Sequence, residues 1–220
     1  MKAAAVAAFA LALCLPMAAW SAPPASGGVR EEIRRDLEDA RRDIRTDLAK
    51  ARAELETENL DVGNSLQVNG NRSRKTKTEP ELPKAEITPQ GDFLIEGEAV
   101  AIDAAQRRQL LAYRGMVIDV ARAGIDIGEV SALAAVDSVD RGVFSLMVGA
   151  MTGSLERRIE RTVRNTVAPG VLLICDRMPA LRDAQQQLAS DLPAFRPYAR
   201  LEAQDADSCR NEVRREFAGR

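Results

Sequence analysis

The chain reads as an α+β protein, a small antiparallel β-meander packed on a mostly helical body with a charged amphipathic helix ahead of it. Three observations predict this. Apolar residues at Ile33, Leu37, Ala40, Ile44, Leu48, Ala51 and Leu55 recur with spacings of 4, 3, 4, 4, 3 and 4, the period of a helical stripe. Short extended runs between Ala85 and Ile102 are separated by Pro and Gly turn residues, the mark of a meander. Beyond Asp103 the apolar spacing returns to helical and stays there.

In chain order, the first element is a leader. Met1-Lys2 is positive, Ala3 to Leu15 carries no charge, and Pro16 precedes the small-residue stretch Met17 to Ala22. That order is the order of a cleavable export signal. The run is shorter than the roughly 20 apolar residues a spanning helix needs, which disfavours an uncleaved anchor. Signal peptidase takes small residues at the last and third-last positions, so cleavage between Ser21 and Ala22 is expected, with Ala19 in the third-last place. Leu11-Ala12-Leu13-Cys14 resembles a lipoprotein signal, but Leu13 stands where a small residue is required. Residues 1–21 are therefore read as signal peptide, 22–58 as a flexible lead and the charged helix, 59–84 as a polar linker and 85–220 as the α+β domain. No transmembrane span is expected in the mature chain.

The charged helix has Glu31 four residues before Arg35 and Glu38 four before Arg42, the supportive order for ion pairs along a helix. It is either a solvated amphipathic helix or a short coiled-coil seam for self-association through residues 29–58. In the linker, Leu60-Asp61-Val62 and Leu66-Gln67-Val68 alternate like short edge strands. Arg72, Arg74, Lys75 and Lys77 cluster there as a solvated basic stretch. Strands follow at 85–88, 93–96 and 99–102. Asp103 and Gln106 then form a capping box. A helix should run from there to about Arg122, ended by Gly124. Residues 125–153 are apolar and broken by glycines, including Gly149 and Gly153. They read as a buried helical hairpin or as an exposed apolar patch for a partner or lipid. A helix from Ser154 should stop at Pro169-Gly170. Pro179 should open the next helix, with Leu181, Leu188 and Leu192. Pro193 and Pro197 bracket an extended piece holding Phe195 and Tyr198. A last helix from about Ala206 to Phe217 carries Cys209.

Composition excludes several chemistries. Histidine is absent, which removes the usual general base and the commonest metal ligand. Without the leader the chain keeps 30 basic and 33 acidic residues, a net charge of −3, so nothing draws it to nucleic acid. Two cysteines remain after the leader, Cys175 and Cys209, an even pair suited to an oxidising compartment. A disulfide between them is expected. It would close a loop of about 35 residues and contribute about 3 to 4 kcal/mol in the chain-entropy picture. Free buried thiols are the rival reading. A redox pair lacks the C-x-x-C spacing.

The segment Glu86-Ile87-Thr88-Pro89-Gln90-Gly91-Asp92 with its hairpin, Ala105-Gln106-Arg107 opening a helix with Tyr113, Cys175-Asp176 before Pro179, and Asp207-Ser208-Cys209-Arg210 together resemble the YggN-like family of exported Gram-negative proteins, which carry a domain of unknown function. The resemblance covers roughly residues 85–212 and rests on the order of these pieces. It implies a periplasmic location and agrees with the cysteines as a pair. It implies no activity and no catalytic residue.

No nucleophile elbow, phosphate loop, zinc motif or calcium loop occurs, and neither a metal nor a cofactor is expected. Asp137 with Asp140 and Asp205 with Asp207 are the carboxylate pairs that an acid/base enzyme would use, though acids so spaced are usually caps or solvated faces. The expected function is a non-catalytic envelope protein working through protein–protein or envelope contacts. The alternative is a periplasmic carrier whose pocket for a small apolar ligand or lipid is lined by residues 125–151.

Overall fold

In the computed structural model the described residues are 26–63, 82–145 and 163–217. The leader, the Ser21/Ala22 bond and the Leu66–Val68 strand lie outside them. Four helices and a four-stranded antiparallel sheet make up the described fold: α1 (Ser26–Thr57), β1 (Leu60–Asp61), β2 (Ala85–Ile87), β3 (Phe93–Ile95), β4 (Glu98–Ala99), α2 (Ala104–Ser145), α3 (Ala168–Asp191) and α4 (Asp205–Phe217). A π-helical turn, Val163–Val167, leads into α3, and a 3-10 helix, Pro193–Tyr198, follows it.

The sheet runs β1-β2-β3-β4 with every neighbour antiparallel. Pairing Leu60 with Ile87 brings the first residues of the polar stretch 59–84 into the sheet, and Val62 N–H donates to the Ala85 carbonyl at 3.0 Å. The β2–β3 turn is built by its side chains. Thr88 Oγ1 accepts from Asp92 N–H at 3.0 Å, while Gly91, at φ +82°, takes the left-handed conformation that a side chain resists. The β3–β4 turn places Glu96 and Gly97 both at positive φ, as the tightest hairpins require. The last strand is shorter than expected: Glu98–Ala99 pairs, and Val100 adds one bond to the Phe93 carbonyl.

The capping box closes as expected. Asp103 Oδ1 accepts from the N–H groups of Ala105 and Gln106 at 2.7 and 2.8 Å, and Gln106 Oε1 accepts from Asp103 N–H at 2.9 Å. Arg107 in the first turn of α2 donates to the Gln90 carbonyl and to Asp92 at 3.1 and 2.6 Å, fastening the β2–β3 turn to the helix.

Four expectations are corrected. Gly124 does not end α2, which continues through Gly128 to Ser145 and reaches about 63 Å. Two glycines cost about 1 kcal/mol each in a helix, and the half-buried Ala123, Ile125 and Ile127 beside them offset this. Residues 125–145 thus belong to one helix, not to a hairpin. Pro169-Gly170 does not stop a helix but sits in the first turn of α3, where a missing N–H is no loss. Pro179, expected in a first turn, lies inside α3 instead. The third proline pair, Pro193 and Pro197, shapes a 3-10 helix and not an extended piece. The helix expected from Ser154 falls mostly outside the described residues.

The core gathers where the sheet meets the first half of α2 and the second half of α3. Phe93, Tyr113, Phe195, Ile87, Leu110 and Leu188 are fully buried there. Phe195 sits at its centre, with ring centroids 5.5 Å from Phe93 and 5.6 Å from Tyr113. Gln185 is the polar member. Its amide donates to Tyr113 Oη at 3.0 Å, and its oxygen accepts from Leu201 N–H at 2.8 Å. The chain between α3 and α4 is thereby tied to α2.

Candidate functional site

Along α2 the fully buried residues are Leu110, Tyr113, Arg114, Val117 and Ile118. Past Ile118 no described residue of α2 is fully buried. The second half of α2 is therefore an arm, flanked by α1 and by the start of α3. α3 comes close because residue 170 has no side chain: a Cβ on Gly170 would lie 2.6 Å from Ile127 Cγ1.

α1 runs antiparallel to this arm, and the pairing is polar. Arg41 donates to Asp137 at 2.9 Å, Arg52 donates to Asp126 and Glu129 at 2.7 and 2.8 Å, and Arg122 pairs with Glu56. The bonds to Asp126 and then Glu129 raise the Arg52 pKa further above its ordinary value. The seven stripe residues from Ile33 to Leu55 are all half-buried, and none of the described α1 residues is fully buried. One amphipathic face thus leans on α2 without being enclosed. Exposed apolar side chains stand on the same arm: Val130 at 43%, Val139 at 53% and Leu173, on α3, at 63% exposed.

The base of α1 is anchored by one buried cation. Arg114, 6% exposed, donates through Nη2 to the carbonyls of Leu55, Glu56 and Glu58 at 2.9, 3.2 and 2.8 Å. The last turn of α1 has no basic residue of its own. Its unpaired carbonyls and the negative end of its dipole attract a positive charge, and α2 supplies it. Sequence reasoning missed this contact. The available signal was a lone Arg beside Tyr113 on the apolar face of a helix, together with a neighbouring helix lacking a C-terminal cation.

Three of the four carboxylates in the two candidate pairs are engaged by neighbouring groups. Asp137 is engaged by Arg41, and the Asp140 side chain lies outside the described residues. Asp205 accepts from Glu202 N–H at 2.9 Å, and Asp207 pairs with Arg210 at 3.1 Å; both stand in the first turn of α4, where acids suit the helix dipole. Cys175 and Cys209 are joined by a disulfide, with Cα atoms 5.7 Å apart, linking α3 to α4. Among the described residues no group of three or more metal-ligating side chains occurs, and no helix is long and apolar enough to cross a membrane. The segment named as a pocket lining, 125–151, is helix arm as far as Ser145, and its remainder lies outside the described residues.

No family model, no curated protein and no solved structure matches this chain.

Proposed function

We propose that this is an exported protein of the cell envelope that works by contact, with the arm formed by α1, the second half of α2 and the start of α3 as its docking surface for a protein partner. The observation that carries the reading is the unenclosed apolar stripe of α1, together with the exposed Val130 and Val139 on α2 and Leu173 on α3. Helices that long and that incompletely covered gain by burying further apolar area, at about 25 cal/mol per Å². The disulfide supports folding where thiols oxidise. The leader and the YggN-like resemblance point the same way, to the periplasm after cleavage at Ser21/Ala22.

The test has two parts. Intact-mass measurement of protein recovered from the envelope should find a chain starting at Ala22. Envelope extract passed over the immobilised mature chain should yield a partner, or a second copy of the chain, whose retention falls at least tenfold for the variant Val139→Glu with Leu173→Glu. Equal retention by this variant would sink the arm as the docking surface. Light scattering of the mature chain separates the two occupants: a dimer that the same variant converts to monomer is self-association through α1 and its neighbours.

A further inference from the structure

The C-terminal helix is short and packs through one face. α4 has 13 residues and buries Ala206, Cys209 and Val213. Its other face carries Asp207, Arg210, Arg214 and Arg215. A helix of this length is marginal by itself, and besides the cysteine its apolar seat is made of Ala206, Val213 and the half-buried Phe217. Its principal neighbour is α3. A lateral ion pair, Arg210 with Asp176 at 2.9 Å, is largely exposed on its acidic side, and exposed pairs hold weakly. By contrast, the aromatic centre of Phe93, Tyr113 and Phe195 is supplied by β3, α2 and the 3-10 helix, none of which is α4. The Cys175–Cys209 bond adds a covalent tie to this apolar seat, while the aromatic centre of the body is built without α4.

We propose that α4 is a disulfide-held flap, closed on α3 while Cys175 and Cys209 are joined and released when a dithiol reductant opens the bond. Cys209 is the more accessible sulfur, at 8% exposed against 0% for Cys175. A reductant thiolate attacks the Cys209 sulfur, Cys175 leaves as a thiolate and takes up a proton, and the reductant's second thiol displaces Cys209 as the reductant closes into a cyclic disulfide. Two electrons and two protons pass to the protein. Release uncovers the α3 face around Cys175, which the closed flap keeps dry, and leaves Cys209 on a mobile tail. The flap thus couples the redox state to exposure of an apolar strip separate from the arm.

Hydrogen exchange read by mass spectrometry tests this on the mature chain before and after treatment with dithiothreitol, alongside the variant Cys175→Ala with Cys209→Ala. Exchange at 205–217 should quicken at least tenfold in the reduced protein and in the variant. Exchange at 110–118 and 181–189 should stay unchanged, and Cys209 should become rapidly alkylated. Unchanged protection at 205–217 without the bond would overturn the proposal. Loss of protection at 110–118 together with 205–217 would overturn it equally, because the bond would then hold the whole fold and not a flap.

Discussion

Arg114 shows how much one side chain decides. Its Nη2 reaches three carbonyls at once, its two N–H groups shared among them, at a place one bond farther from the backbone than a lysine ammonium extends. Arg114→Met should lower stability by about 1.5 to 3 kcal/mol, the range for hydrogen bonds to a charged group, and Arg114→Lys should recover only part of it. Urea midpoints at constant slope would measure both. Tyr113 gives the pH dependence. Burial pushes its phenol up to about 12, opposed in part by the hydrogen bond from Gln185. An unfolded Tyr titrates near 10. Below that value both states keep the proton and the contribution is complete. Above it the unfolded chain loses its proton first, so stability falls by about 1.4 kcal/mol per pH unit until the folded phenol ionises as well. Melting between pH 9 and 12 should show that decline, and Tyr113→Phe should flatten most of it. Burial and the nearby Glu96 charge raise the Tyr198 phenol too, so a smaller slope should persist. Neither Arg114 as a cap nor Gln185 as a staple was legible in the sequence, because a polar residue on an apolar helix face does not say which distant backbone it meets.

At the scale of elements, helix positions were legible and helix ends were not. Every stripe residue of α1 is half-buried, as are Glu31, Arg41, Arg52 and Glu54 beside them, and the Asp103–Gln106 box caps α2 as its spacing predicts. Glycine and proline misled the reading in four places, since each is a helix breaker only where packing does not override it. Gly124 and Gly128 have no atom within 4 Å of where a Cβ would stand. Replacing either with Ala should therefore raise stability by about 0.4 to 1 kcal/mol, read as a higher melting temperature. Gly91→Ala should do the reverse, because its Cβ would fall 2.7 Å from Leu111 Cγ at a positive φ. The opposite signs check whether the course of α2 through Gly124 is right.

For the whole molecule, the sheet joins parts that the sequence separates. β1 pairs with β2 across the polar stretch, and Val62 is buried at 6% exposed. A mature chain shortened to begin at Ala85 should consequently lose about 2 kcal/mol or more relative to one beginning at Leu60, from the uncovered Val62 site alone, as denaturant titration of the two would show. The sequence by itself determined the class, the order of elements, the amphipathic face of α1 and the pairing of Cys175 with Cys209, because periodicity, turn chemistry and residue counts are local properties. Only the tertiary structure decided that α2 runs on past Gly124, which side of α1 faces a neighbour without being enclosed, and that Arg114 closes α1 from another helix. Those outcomes depend on contacts between residues 43 or more positions apart, and a contact at that separation leaves no trace in the spacing of either partner.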